Sequence, residues 1–340
     1  MKVLIYSDPH YCEFSSIIRK RGSKYSLRIE NIIRSINWLI DLARENTCHD
    51  IICAGDFFDS SSLNAAEISA LKEIHWLDGQ SHVFIPGNHE QGSVGHEYTS
   101  SDVFTLLETA VVHRSPSMFT IGNTEICLLP YIQEIDRQPI KEYFPDRSNK
   151  KRVIISHNDI QGIQMGSFIS KSGFSIEEIE ENCDLFINGH IHNGKKISNK
   201  IINIGNLTGQ NFSEDAFNYD HVVFLLDTDT LKIEVYENPY AFNFYKLDCT
   251  GRDFSIFSKL KNNSVITVKC LEEDSDTIKS LISSSPNIIE SRVLIQVNKD
   301  TTTSEIEELK VDHLSQFKDY VLSNIGDSDI IRSELIEVLK

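Results

Sequence analysis

No run of apolar residues in this 340-residue chain approaches the roughly 20 needed to cross a bilayer, which excludes a helical membrane protein. The N-terminus enters a strand-like run almost at once, Val3 to Tyr6, so no leader peptide is expected. Cysteine spacing of the kind that builds a metal site or a disulfide frame is also missing. The seven cysteines (12, 48, 53, 127, 183, 249, 270) are scattered, odd in number and mostly inside apolar runs. Buried reduced thiols in a cytoplasmic protein are therefore expected. Positive charge is scarce, with 33 Lys and Arg against 50 Asp and Glu and a net charge of −17. That argues against broad nonspecific binding to nucleic acid by the chain alone. Bound divalent ions or a basic partner would reverse the local field, so a nucleic-acid substrate stays open. The local exception is Arg19-Lys20-Arg21 with Lys24 and Arg28, which reads equally well as a solvated loop. There is no internal repeat and no low-complexity tract.

What is present is an alternation of strands and helices, in a chain long enough for two cores. Strands are expected at Lys2–Ser7, Asp50–Ala54, His82–Ile85, Ala110–His113, Met118–Ile121, Glu125–Leu129, Val153–Ser156, Leu185–Asn188 and Ile201–Ile204. Helices are expected at Leu27–Ala43, on the three-to-four spacing of its isoleucines and leucines, and at Ala65–Leu77. His221–Leu226 and Leu231–Tyr236 flank the turn Asp227-Thr228-Asp229-Thr230, a hairpin signal. The expected class is α/β (α+β): a mixed β-sandwich flanked by helices over residues 1–240. A boundary is expected around Asn238-Pro239, followed by a small α+β capping domain (241–300) and a helical, acidic tail (301–340) with two apolar stripes.

Five short motifs each end an apolar run: Asp8-Pro9-His10, Gly55-Asp56 with Asp59, Gly87-Asn88-His89-Glu90, Ser156-His157 and Gly189-His190-Ile191-His192. Side chains at the carboxyl ends of neighbouring strands converge on one rim of a sheet. Asp8 and His10, two apart in an extended segment, are expected on one side. The set offers seven oxygen or nitrogen ligands and a spare histidine, the requirement of two adjacent metal ions and a general acid. Asp8, His10 and His192 are assigned to one ion, and Asn88, His157 and His190 to the other. Asp56, with two oxygens, bridges both. His89 is left to protonate the leaving oxygen, and Asp59 to orient that histidine or a ligand. Mixed N/O ligands suit Mn, Fe or Zn better than Mg or Ca. Such a pair, about 3.5–4 Å apart, clamps a phosphoryl oxygen for in-line attack. Singly, each motif has an ordinary reading as a turn, a helix cap or a pair of loop histidines. Unrelated turns would not reproduce one ligand set in order.

The motif set resembles that of the calcineurin-like metallophosphoesterases. Its surroundings resemble the SbcD nuclease subunits and their eukaryotic and archaeal counterpart, the Mre nuclease of the Mre–Rad complex, most of all the bacterial and phage forms. The residues that carry this are Gly55-Asp56-Phe57-Phe58-Asp59, Leu128-Leu129-Pro130-Tyr131, and Ile204-Gly205-Asn206 followed by Phe212-Ser213-Glu214. The likeness is specific over about residues 1–250, and beyond them only the layout matches.

The resemblance implies a Mn²⁺-dependent DNA nuclease that degrades duplex ends from the 3′ side and cuts single strands in end processing, repair or recombination. It implies a homodimer, a tail bound to an SbcC-like (Rad-type) ABC ATPase, and a cytoplasmic location, in the host if the chain is phage-encoded. The sequence departs from that pattern at Tyr11-Cys12 after the first motif, at Glu90 where Asp is usual, and at Asn206-Leu207 where Ser-Pro is common. None of these removes a ligand. Two other readings stand beside the nuclease: a stand-alone phosphoesterase acting on nucleotides or phosphoproteins, and a scaffold that keeps the fold without the chemistry.

Overall fold

In the computed structural model the described residues are 1–296, apart from 49, 77–79, 94–96, 146, 166–167 and 215. They form one compact unit. The expected helical tail, 301–340, lies outside the described residues.

In chain order the elements are β1 (Lys2–Tyr6), α1 (Leu27–Glu45), β2 (Asp50–Cys53), α2 (Ala65–Ala70), β3 (Ser81–Phe84), β4 (Ala110–Val112), β5 (Ser117–Ile121), β6 (Thr124–Leu129), α3 (Ile140–Tyr143) and β7 (Lys151–Ser156). There follow β8 (Gln164–Met165), β9 (Phe168–Ile169), α4 (Ile176–Asn182), β10 (Leu185–Asn188), β11 (Lys195–Lys196), β12 (Ile201–Asn203), β13 (Val222–Asp227), β14 (Ile233–Glu237), β15 (Asn243–Asp248), β16 (Ser264–Leu271), α5 (Ser275–Ser284) and β17 (Ile288–Gln296).

Two six-stranded mixed sheets, in the orders β14-β13-β1-β2-β3-β4 and β11-β12-β10-β7-β6-β5, pack face to face. Strand alternation explains the layers. Val3 and Ile5 of β1 point inward with Ile52, Val83, Ile126, Val153, Ile155 and Ile187. Leu4 and Tyr6 point outward to Ile29, Ile32, Ile36 and Leu39 of α1. On the other side α3 and α4 cover Cys127, Leu129, Ile154 and Phe186. Central strands buried on both faces account for the continuous apolar runs. The hairpin forms as expected: β13 and β14 pair antiparallel, and Asp227 Oδ1 accepts from the Thr230 amide at 2.8 Å.

α1 starts where its sequence allows. Ser26 Oγ accepts from the Ile29 amide, and the Glu30 carboxylate accepts from the amides of Ser23, Lys24 and Tyr25 at 2.6–3.0 Å. All seven cysteines are buried and unpaired, as expected.

Two expectations need correction. The second helix stops at Ala70 and tightens into a 3-10 turn over Leu71–Glu73 instead of reaching Leu77. The terminal carbonyls are taken from outside: Trp76 Nε1 donates to the Leu71 carbonyl and Asn37 Nδ2 to that of Glu73. Beyond Asn238-Pro239, β15 runs parallel to β16 in a third sheet, β15-β16-β17, with Phe244, Tyr245 and Leu247 on apolar partners beneath it. Arg28 leaves the basic cluster. It is buried and donates to the His10 carbonyl, whereas Arg19, Lys20, Arg21 and Lys24 are exposed.

Candidate metal centre

β1, β2 and β3 are mutually parallel, as are β7, β10 and β12, so all five motifs leave the carboxyl ends of strands on one rim. Asp8 follows β1, Asp56 follows β2, Asn88 follows β3, His157 follows β7, and His190 and His192 follow β10. The segment of Asp8 and His10 is not extended. Both have left-handed backbone, φ 51° and 45°, as do Asp56 (46°) and His190 (71°). For non-glycine residues that conformation is costly and concentrates at functional sites. The sharp turns aim side chains at one point where an extended strand would have split them between faces.

Three groups of potential ligand atoms result, each gathered within 4.8 Å: Asp8–His10–His192 and Asp56–His157–His190 inside the site, and His10–Asp59–His89 at its exposed edge. Asp56 joins the two inner groups: its Oδ2 lies 3.1 Å from His157 Nε2 and 3.7 Å from His10 Nε2. His10 Nε2 is also 3.7 Å from Asp8 Oδ1 and 3.2 Å from His192 Nε2. The turn carrying Asn88 is pinned to the same carboxylate, since the His89 amide donates to Asp56 Oδ1 at 3.0 Å.

Whether these residues fit metal ions is testable on the atoms themselves. Asp8 Oδ1, Asn88 Oδ1 and His157 Nε2 are buried with no hydrogen-bond partner. Each such orphan costs about 1–3 kcal/mol unless something satisfies it, and all three belong to the expected ligand set. The electrostatics agree. Burial alone would push His10 and His157 down. The hydrogen bond to Asp59 and the neighbouring Asp8 carboxylate instead hold His10 up to about 10, and the charges of Asp56 and Asp8 hold His157 up to about 9. Burial raises Asp56 and Asp8, but His157 and then His10 more than offset it, so both carboxyls are lowered. A buried site that draws protons this strongly is built for positive charge, and the residues fit two cations.

The other nitrogen of each cluster histidine is held from outside. Asp59 Oδ1 lies 2.9 Å from His10 Nδ1, Glu214 Oε1 is 3.2 Å from His192 Nδ1, Asp159 Oδ1 is 3.3 Å from His190 Nε2, and the Ala54 carbonyl is 2.7 Å from His157 Nδ1. Such partners fix tautomer and ring orientation. Asp59 thus orients His10 with its carboxylate, and its backbone carbonyl is 3.0 Å from Nδ1 of the half-exposed His89. Asp159 was missed by sequence reasoning. Glu214 was noted only as part of a motif; it also accepts from Asn206 Nδ2 and the Gln210 amide. Glu90 is fully buried and clamps two motifs, accepting from the Gly87 and Phe58 amides and Ser101 Oγ. Burial and the charge of Asp56 push it up to about 7.

Gly55 is required here. Its φ is +98°, and a Cβ would sit 2.2 Å from His157 Nδ1.

The calcineurin-like phosphoesterase profile matches residues 1–194, more than half of the chain, and the chain belongs to that family. It is a metal-dependent phosphoesterase with a two-ion site of histidines and aspartates. Among solved structures, a dimetal phosphatase from Danio rerio is similar at 12% identity and a TM-score of 0.43, over 70% of this chain and 99% of that one. Another solved chain is similar at 13% identity and a TM-score of 0.41, over 70% of this chain and 98% of that one. No curated protein matches the sequence. Among the described residues no helix is long and apolar enough to cross a membrane.

Proposed function

We propose that the chain is the nuclease subunit of an SbcCD-like (Mre–Rad) complex, hydrolysing DNA phosphodiesters at this two-ion site. The observation that carries the chemistry is the pair of ligand clusters with three orphaned buried ligand atoms. Asp8, His10 and His192 would hold one ion and Asn88, His157 and His190 the other, with Asp56 placed to share its two oxygens between them. When bound, two Mn²⁺ ions supply Lewis acidity to the phosphoryl oxygens and lower the cost of making a nucleophile from water. Asp59 fixes the ring of His10. His89, anchored through Nδ1 at the mouth of the site, presents Nε2 to protonate the leaving 3′-side oxygen.

A polymeric substrate is supported by a groove of about 650 Å³ lined by Arg19, Arg292, Ser16, Ser291 and Phe212, with Glu290 on the same wall. One short stretch of chain, 210–214, contributes both to this groove and to the surroundings of the metal centre. Gln210 Nε2 donates to the Asp8 carbonyl, Glu214 holds His192, and Phe212 lies between them. The two arginines supply what the acidic chain otherwise lacks for a polyanion. An ABC-type ATPase bound by the tail, and a second copy of the chain, complete the assembly in this reading.

The test is cleavage of end-labelled duplex and single-stranded DNA with Mn²⁺, Mg²⁺ or EDTA. Mn²⁺-dependent loss of nucleotides from 3′ ends supports the proposal. The net charge of −17 favours a second reading, a phosphoesterase for small substrates. Hydrolysis of a small phosphodiester, with both DNA forms intact even beside the ATPase, would select it.

A further inference from the structure

The two ligand clusters are braced unequally. In the first, both histidines lean on carboxylates, His10 on Asp59 at 2.9 Å and His192 on Glu214 at 3.2 Å. In the second, His157 leans on a neutral backbone carbonyl, that of Ala54. Outside the ligand set, the carboxylate that meets a histidine of the second cluster is Asp159, 3.3 Å from His190 Nε2. It is 27% exposed, between Glu214 at 4% and Asp59 at 42%. Asp159 opens the loop that runs through β8 and β9, and its own carbonyl accepts from the Phe174 amide, which ties down the far end of that loop. His190 has a left-handed backbone, and Asp159 is the hydrogen-bond partner of its ring.

We infer that Asp159 is a positioning residue for the second ion: its carboxylate receives the Nε2 proton of His190, turns Nδ1 toward the cluster and sets how tightly that ion is held. The inference rests on the two-ion reading above. A carboxylate behind an imidazole raises its basicity and freezes its orientation, and removing such a partner weakens metal binding about 10–100-fold. With one carboxylate and one neutral carbonyl behind its histidines, against two carboxylates behind those of the first, the second ion is the weaker of the two.

The experiment is Mn²⁺ titration of the full chain, followed by calorimetry and by EPR of free Mn²⁺. Wild type, Asp159→Ala, Asp159→Asn and His190→Ala are compared, with thermal unfolding of each. Wild type is expected to take up two ions in two steps. Asp159→Ala should weaken the second step about 10–100-fold and leave the first unchanged. Asp159→Asn keeps an oxygen acceptor, so it should lose less. His190→Ala should abolish the second step. Equal two-step binding by wild type and Asp159→Ala, or equal weakening of both steps, would overturn the positioning role while leaving the two-ion reading intact. Fewer than two ions on wild type would sink that reading and the inference with it.

Discussion

Replacing Gly55 by alanine perturbs one atom at the tightest point of the site, and a built-in comparison separates its two costs. Gly55 has φ +98°, and Gly162 has φ +81°. A Cβ at either meets the left-handed penalty of about 1–2 kcal/mol. At Gly162 nothing lies within 4 Å, so the backbone term stands alone. At Gly55 the new carbon would sit 2.2 Å from Nδ1, 2.3 Å from Cγ and 2.7 Å from Cβ of His157. His157 is fully buried on a central strand end and has nowhere to go, so overpacking adds about 1–3 kcal/mol. Gly55→Ala should therefore cost about 2–5 kcal/mol and Gly162→Ala about 1–2. Moving His157 also breaks its bond to the Ala54 carbonyl, so Gly55→Ala should lose Mn²⁺ affinity while Gly162→Ala keeps it. Chemical denaturation of both variants, with Mn²⁺ titration under native conditions, reads the two effects separately. Equal stability of the two variants, with normal metal binding by Gly55→Ala, would refute the claim that the strand end is packed directly onto a metal ligand.

Other perturbations probe other parts of the account. His89→Ala should lower phosphodiester hydrolysis about 10²–10⁴-fold with two-ion binding unchanged; near-normal turnover would remove His89 as the acid. Arg19→Ala and Arg292→Ala should each weaken DNA binding and reduce its salt slope by about 1, without altering hydrolysis of a small phosphodiester. Burial opposes ionisation of Glu30, but the amides of Lys24, Tyr25 and Ser23 outweigh it and hold the carboxyl down to about 2, below an ordinary 4.5. A depressed folded pKa stabilises above the unfolded value and loses that stability as pH falls through the folded one. Glu30→Gln should therefore cost about 1 kcal/mol near pH 7, discounted for partial exposure, and the gap from wild type should close between pH 4.5 and 2 in parallel melts.

Much of the sandwich was legible because its signals are local. Runs such as Val3–Tyr6 and Val153–Ser156 are apolar on both faces, and the stripe of α1 repeats at helical spacing. The motif residues were legible as a set because a fixed order of ligands leaves a mark even when each piece is ordinary. What sequence could not supply was decided at a distance. The left-handed turns at Asp8, His10, Asp56 and His190 oppose the intrinsic preference of those residues and exist because surrounding strands impose them. The 3-10 turn that follows α2 is tied at Glu73 by Asn37, on another helix. Asp159 and Glu214 stand 31 and 22 residues from the histidines they support, and an aspartate in a loop carries no signal of what it faces. β15 follows an Asn-Pro that reads as a break, and only its packing beside β16 makes it a strand.

Phosphodiester hydrolysis at this site should require both metal clusters. The most direct measurement is hydrolysis of bis(p-nitrophenyl) phosphate by chelated protein as Mn²⁺ is added back, with bound ions counted in the same samples. The account predicts no turnover in chelator, little with the first equivalent, and activity that rises with the second. Turnover that persists in chelator, or none with two ions bound, would contradict it.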